Sequence, residues 1–271
     1  MMIDNDVYDR LGGGWWDECN PLATLHGSMT AGRIRYFRSV LARLNALPGA
    51  AGARALDIGS GGGFLAEEFC RLGFAVTGVD PSAVSVRTAQ AHAAASHLDI
   101  DYRVGFGEQL PVDDATFDVA YCCDVLEHVE DVDRVLAETA RVLRPGGVYL
   151  FDTPNRTVAA KLATQATQQW PLFRLIDFPA HDWAQFLRPA ELTARARRQG
   201  LTVGEIVGLG PRAPVPRVIR TFVSLHGTKP NYRRASERLQ MGQTRSTRFF
   251  FAGYAVRHQQ TGNHRTLEAG Q

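Results

Sequence analysis

The chain has few cysteines, no long apolar run and almost no net charge, and each shortage excludes a class of function. The four cysteines are Cys19, Cys70, Cys122 and Cys123. None forms a Cys-x-x-Cys pair, so a zinc framework and a disulfide scaffold are both unexpected, and a cytoplasmic, reducing setting suits the chain. No apolar stretch reaches the length of a membrane span. The first residues, MMIDNDVYDRLGGGWWD, hold no apolar signal core. Basic and acidic side chains number 30 and 28, a net charge of +2, so global electrostatics selects no partner. No internal repeat is present. The 271 residues, 45% apolar and 21% charged, suit one large soluble domain with a substantial core.

Residues 1–30 read as irregular, with Gly12, Gly13 and Gly14 followed by Trp15 and Trp16. Ile34, Phe37, Leu41 and Leu44 then recur at helical spacing, predicting an amphipathic helix over 31–47 that Pro48 and Gly49 stop. From residue 53, strands and helices alternate: RALDI and FLAEEFCRL, AVTGVD and SAVSVRTAQAHAAA, IDYRVG, FDVAYCCDVL and VDRVLAETARVL, then VYLFDT. Such alternation with short connections predicts a parallel sheet covered on both faces. A helix is expected over 189–199, a strand over 201–207 and a final strand over 249–258. The organisation expected is an N-terminal cover and helix (1–48), an α/β domain (49–258) and a polar, disordered tail (259–271). A Pro- and Arg-rich insertion, 211–248, precedes the last strand.

The chemistry concentrates in ARALDIGSGGGFLAEEF, residues 53–69, which reads as strand, glycine loop, helix. The pattern resembles the first turn of a nucleotide-binding βαβ unit. A dinucleotide fingerprint fails from Gly59, because Phe64 stands where its third glycine belongs; from Gly61 it starts well after the strand ends. Asp57, two residues before Gly59, would repel a pyrophosphate but favour a cationic ligand. S-adenosylmethionine carries an ammonium and a sulfonium and no phosphate, and glycines let the backbone approach its methionine portion. Asp80, at the end of AVTGVD, stands where such folds place an acid on the ribose hydroxyls. That position serves NAD equally well, and a helix N-cap is its simpler structural account.

DIGSGGG, VTGVD, LPVDDATFDVAYCCDVLEHV and VLRPGGVYLFDTPN, in this order, resemble the class I S-adenosylmethionine-dependent methyltransferases over residues 50–155. Further motifs resemble the family that O-methylates the catechol ring in ubiquinone biosynthesis: Trp15-Trp16-Asp17, the Asp124-x-x-Glu127-His128 turn, Thr153-Pro154-Asn155-Arg156, and His181-Asp182 followed by Phe186, Pro189, Glu191 and Leu192. The resemblance implies an α/β, Rossmann-like domain with a mostly parallel seven-stranded sheet and helices on both faces. It implies S-adenosylmethionine as cofactor, with Arg33, Gly59, Asp80 and Cys123 at the cofactor; Cys123 replaces the family's methionine, and Arg33 aligns across a one-residue gap. With Asp57 and Gly61 these form the expected cofactor set.

Methyl transfer from a sulfonium is an in-line displacement, so alignment and desolvation dominate, and a phenol benefits from a base or a metal. In the resembled family the residues equivalent to Asp124, Glu127 and His128 are implicated in divalent metal binding, which implies Mg²⁺. The simpler account makes this turn a helix N-terminus capped by Asp124. His128 and His181 are the candidate bases. Asp182 need not orient His181, since neighbours on an extended chain face opposite ways, and a helix cap explains that pair too. Trp15 and Trp16 either pack, cover the cofactor or line the acceptor pocket.

Residues 211–248 hold nine Arg or Lys against one acid, Glu237. They read as a solvated face, with anionic lipid or an acidic acceptor as the alternative; too few aromatics are interleaved for nucleic acid. Segment 158–178 is moderately amphipathic, and the resemblance leaves peripheral membrane contact open there. The reading is O-methylation of a phenolic or catechol-type small molecule. A sugar-hydroxyl or amine methylase on the same core and a non-catalytic cofactor-binding protein stand as alternatives. The sequence leaves oligomeric state open.

Overall fold

The computed structural model describes residues 7–49, 52–170, 181–226 and 230–259. The proposed tail from residue 260 onward and part of the 158–178 segment lie outside the described residues.

The sheet follows from the strand–helix alternation. Strands β1 (Ala53–Ile58), β2 (Phe74–Asp80), β3 (Ile100–Val104), β4 (Phe117–Cys123) and β5 (Leu143–Pro154) pair in parallel in the order β3-β2-β1-β4-β5. The chain steps outward from β1 to β3 and then returns to β4, so a switch point opens at the carboxyl ends of β1 and β4, where such sheets bind ligands. Beyond β5 the sheet continues with β8 (Phe250–Arg257), β6 (Leu201–Pro211) and β7 (Met241–Thr244). β8 runs antiparallel to both β5 and β6, and β7 antiparallel to β6.

The sheet has eight strands, not the seven expected. The extra one is β7, whose MGQT carries no alternating apolar pattern to announce it. It lies in the 211–248 insertion, which also forms helices.

Side chains alternate between two cores. Along β4, Val119, Tyr121 and Cys123 join one apolar cluster while Ala120 and Cys122 join the other; along β5, Val148 and Leu150 alternate with Tyr149 and Phe151. Helices cover both clusters. In chain order they are α1 (Val7–Leu11), α2 (Thr30–Arg43), α3 (Phe64–Arg71), α4 (Ala83–Ala95), α5 (Val132–Val142), α6 (Val158–Gln169), α7 (Pro189–Arg198), α8 (Val215–Ser224) and α9 (Tyr232–Leu239). α2, α3 and α4 pack on the first cluster through Phe37, Phe69 and Ala89. α5 and α7 pack on the second through Leu136 and Leu192.

Local chemistry sets the helix boundaries. Ser82 caps α4 by accepting from Ser85 N–H at 3.1 Å, and Asp131 caps α5 by accepting from Arg134 N–H at 3.1 Å. α2 stops at Arg43, four residues short of the expected 47, because Asn45 turns left-handed (φ 52°) before Pro48 is reached.

Residues 7–30, expected to be irregular, are largely helical: α1, a tight turn at Gly12–Gly14 and a helical turn at Leu25–Met29 precede α2. The insertion packs against this cover. Ser28 N–H donates to Ser236 Oγ (3.0 Å), Met241 N–H donates to Ser28 Oγ (2.9 Å), and Asn231 Nδ2 donates to Glu18 Oε2 (2.7 Å). Among the described residues, no helix is long and apolar enough to cross a membrane.

Phe151 is fully buried and meets Phe251 edge-on across the second core, with ring centroids 6.4 Å apart. Phe151→Ala is expected to lower the free energy of unfolding by about 3–5 kcal/mol, measured by urea titration.

Candidate active site

The glycine loop follows β1 at the switch point. Gly59 and Gly61 have φ values of 78° and 50°, which other residues adopt only with strain. A Cβ on Gly59 would strike the Val125 side chain, and one on Gly61 would lie 2.8 Å from the Trp15 ring. The loop is therefore pressed between the turn after β4 and the N-terminal cover. Asp57 is buried beneath it, and its carboxyl is pushed well above the usual range by burial and by Asp80; the Ala66 N–H in the first turn of α3 works the other way. Asp80 ends β2. Its Oδ2 accepts from Gly61 N–H (2.8 Å) and its Oδ1 from Ser82 N–H (2.9 Å). Burial pushes its pKa up to about 6 against those two donors.

A buried ion-pair network lies at the ends of β4 and β5. Arg33 on α2 is 3% exposed, so its charge needs partners. Its Nε donates to Asp152 Oδ2 (2.7 Å), its Nη2 donates to Asp152 Oδ1 (2.9 Å), and it pairs also with Asp124. Burial works against this charge, but the two carboxylates outweigh it and raise the Arg33 pKa well above normal. Asp124 sits in the left-handed region (φ 53°) directly after β4. It does not cap a helix, because α5 starts only at Val132 under Asp131. Cys123 is buried beside Asp152, and burial pushes its thiol pKa up.

The same turn carries Glu127 and His128. Glu127 is fully buried; Thr153 Oγ1 donates to its Oε2 at 2.9 Å, and its Oε1 has no hydrogen-bond partner. Burial, then Asp124, raises its pKa well above normal. The His128 and His181 rings lie 5.1 Å apart at 72°. Burial and His181 lower the His128 pKa to about 3, against the pull of Asp124, and burial lowers that of His181. Asp182 accepts from Ala184 N–H (2.9 Å), which makes it the cap of the next helical turn.

The structure thus gathers the sequence-selected residues into two neighbouring groups. Asp57, Gly59, Gly61 and Asp80 surround the loop. Arg33, Cys123, Asp124, Glu127, His128 and His181 surround the β4 turn, with Asp124 committed to Arg33 and His181 completing the cluster of Glu127 and His128. Trp15 lies on the glycine loop and donates from Nε1 to Ser85 Oγ (2.9 Å), while Trp16 donates to Gly62 O (2.9 Å) and stacks on His92.

Sequence reasoning missed two members. Asp152, the main partner of Arg33, ends an apolar strand, and an acid buried in VYLFDT was the available signal. Tyr8 stacks on Trp15 (6.2 Å) and places its hydroxyl 3.4 Å from His128 Nε2, linking the two groups. Nothing in the sequence marks Tyr8, because its role depends on how α1 folds back.

A family model described as a methyltransferase domain matches residues 56–151. A ubiquinone biosynthesis O-methyltransferase from Methylobacterium nodulans is 36% identical over 216 residues, covering 76% of this chain and 86% of its own. One from Caulobacter vibrioides is 40% identical over 194 residues, covering 69% and 76%. Among solved structures, magnesium protoporphyrin IX methyltransferase from Synechocystis PCC 6803, with bound S-adenosylhomocysteine, aligns at a TM-score of 0.54 and 18% identity over 84% of both chains, which shows a common fold. Fold and family model together define a class I S-adenosylmethionine-dependent methyltransferase. Within that class, the chain belongs to the ubiquinone biosynthesis O-methyltransferase family.

Removing Arg33 would strand two acids, one of them fully buried. Arg33→Met is expected to destabilise the fold by about 3–5 kcal/mol, read from the urea midpoint.

Proposed function

We propose that the protein transfers the methyl group of S-adenosylmethionine to a phenolic hydroxyl of a catechol- or quinol-type small molecule. The observation that carries this reading is the pair of half-buried imidazoles, His128 and His181, beside buried Glu127 at the edge of the glycine-loop cleft. The names of the curated relatives support the acceptor class. The cofactor supplies, when bound, a methyl group already activated by its sulfonium.

The protein's own part is placement and proton handling. Asp80 accepts from the ribose hydroxyls. Gly59 and Gly61 present backbone to the methionine portion, and a cation bound above the loop would offset the burial that disfavours the charged form of Asp57. Arg33 and Cys123 close the far wall, Arg33 chiefly by holding Asp124 and Asp152. His128 takes the phenolic proton, and His181 orients the ring or relays it. An imidazole with a pKa near 3 takes that proton only if its cation is stabilised as it forms; Asp124 raises its proton affinity, and a phenolate forming alongside raises it further. α1 and Trp15 lie over the loop and exclude water.

Magnesium does not fit the donors present. It prefers oxygen ligands, whereas Asp124 is committed to Arg33 and the groups that converge with Glu127 are two imidazoles. No step is assigned to it.

Peripheral membrane contact belongs to this reading as well. Val215, Ile219 and Val223 are exposed along one side of α8, beside exposed Arg217 and Arg220. Such a face suits an anionic bilayer surface. The protein is expected to float with vesicles containing phosphatidylglycerol, less so with Ile219→Glu, and not with phosphatidylcholine alone; equal flotation of both proteins would overturn the assignment.

Calorimetry with S-adenosylhomocysteine tests the cofactor site. Affinity should fall as pH drops through about 6, because Asp80 is then protonated and stops accepting from two ribose hydroxyls. Asp80→Asn should bind at least about 10-fold more weakly, with that pH step removed. His128→Gln should keep binding and lower kcat on a catechol panel by about 100-fold or more. Undiminished turnover by His128→Gln would move the base to His181.

A further inference from the structure

We infer that Arg54, Thr77 and Arg103 form a binding site for a small tetrahedral oxyanion of the phosphate class, away from the methyl-transfer cleft. The three residues lie on one face of β1, β2 and β3, because the register aligns Arg54 with Ala75, two residues before Thr77, and Val79 with Arg103. With Thr116 and Phe117, where β4 begins, they line a cavity of about 170 Å³. It opens at the amino ends of β1 and β4, whereas the glycine loop follows the carboxyl end of β1.

Two independent observations point to an anion. The first is the Arg54 guanidinium. It lies over the Phe117 ring, 5.2 Å from the centroid, and this stacking orients its plane. Among the described residues, no acid and no carbonyl engages it. The acids nearby are taken by other cations: Asp101 by Arg103, Asp114 by Arg141 and Asp118 by Arg144. Asp118 meets Arg54 only through the backbone N–H (2.8 Å). Charge pairing therefore leaves the Arg54 side chain over, beside a cavity.

The second observation is Thr77. It is only 5% exposed, it lines the cavity, and its hydroxyl has no hydrogen-bond partner among the described residues. An unpaired buried hydroxyl is costly, and an oxyanion in the cavity would accept from it.

Arg103 adds a second positive charge. It donates through Nε and Nη2 to Asp101 and through Nη1 to Pro111 O (2.8 Å), and each Nη keeps a second hydrogen. Donors from three strands approach one ion from several sides, which suits a tetrahedral phosphate better than a planar carboxylate. One acid opposes binding: Asp113 lines the rim and has no cation of its own among the described residues.

The site does not depend on methyl transfer, so it is tested on the full chain with inorganic phosphate, by calorimetry at constant ionic strength. Phosphate should bind once per chain and raise the urea midpoint as it saturates; acetate should do neither. Arg54→Gln and Thr77→Val should each weaken phosphate binding by about 10-fold or more. Asp113→Asn should tighten it. Asp113 is exposed, so this variant keeps its fold even where a buried substitution does not. A cooperative urea transition establishes that each variant is folded. Failure to saturate by about 10 mM phosphate, equal binding of acetate, full affinity in folded Arg54→Gln or Thr77→Val, or no gain in Asp113→Asn would each overturn the site. Phosphate binding without S-adenosylhomocysteine binding would strike the cofactor assignment and leave this site standing.

Discussion

One buried guanidinium organises the carboxyl edge of the sheet at β4 and β5. Arg33 comes from a helix outside the strand–helix alternation, yet it ends between the last residues of β4 and β5. A buried charge is tolerated only when fully engaged, so Arg33 fixes where Asp152 and Asp124 must be. Asp124 is thereby held in a left-handed conformation that a non-glycine residue adopts at a cost. That conformation turns the chain sharply after β4 and drops Glu127 and His128 inward, three and four residues later. The strain in one residue and the burial of another are two sides of the same constraint.

The N-terminal cover joins the two halves of the site. Trp15 rests on Gly61, Tyr8 stacks on Trp15, and the Tyr8 hydroxyl reaches His128. A single helix turn and its neighbours thus touch both the loop beside Asp80 and the cluster at the β4 turn. The loop tolerates this closeness only because Gly61 has no Cβ, so the glycines serve the protein's own packing as well as any ligand. Any change in α1 is therefore felt at both ends of the cleft, although α1 contributes no strand and little core.

The sheet was legible because its strands are buried on both faces and its helices keep a regular period. RALDI, AVTGVD and FDVAYCC name themselves by composition, and DIGSGGG locates the loop. The loop acids and the β4 turn residues were legible by position for the same reason. What sequence did not reveal depends on contacts between distant segments. The strand MGQT exists because β6 offers it an edge, and α2 ends early because of one asparagine. Asp124 looked like a helix cap because the local pattern contains no trace of Arg33, which lies 91 residues away. Asp152 and Tyr8 were invisible on the same grounds: their meaning is tertiary.

The parts outside the parallel strands also explain why acceptor chemistry is separable from the fold. α9 and β7 of the insertion bind the N-terminal cover through Ser28, Ser236 and Met241, and the cover reaches His128 through Tyr8. His181 arrives from a different direction, on the segment before α7. Two peripheral pieces, the cover and this segment, therefore meet around one turn, and the insertion holds the first of them from behind. In this arrangement the glycine-loop side of the cleft is fixed by the sheet, and the side around His128 is assembled from peripheral segments that can vary in length and charge.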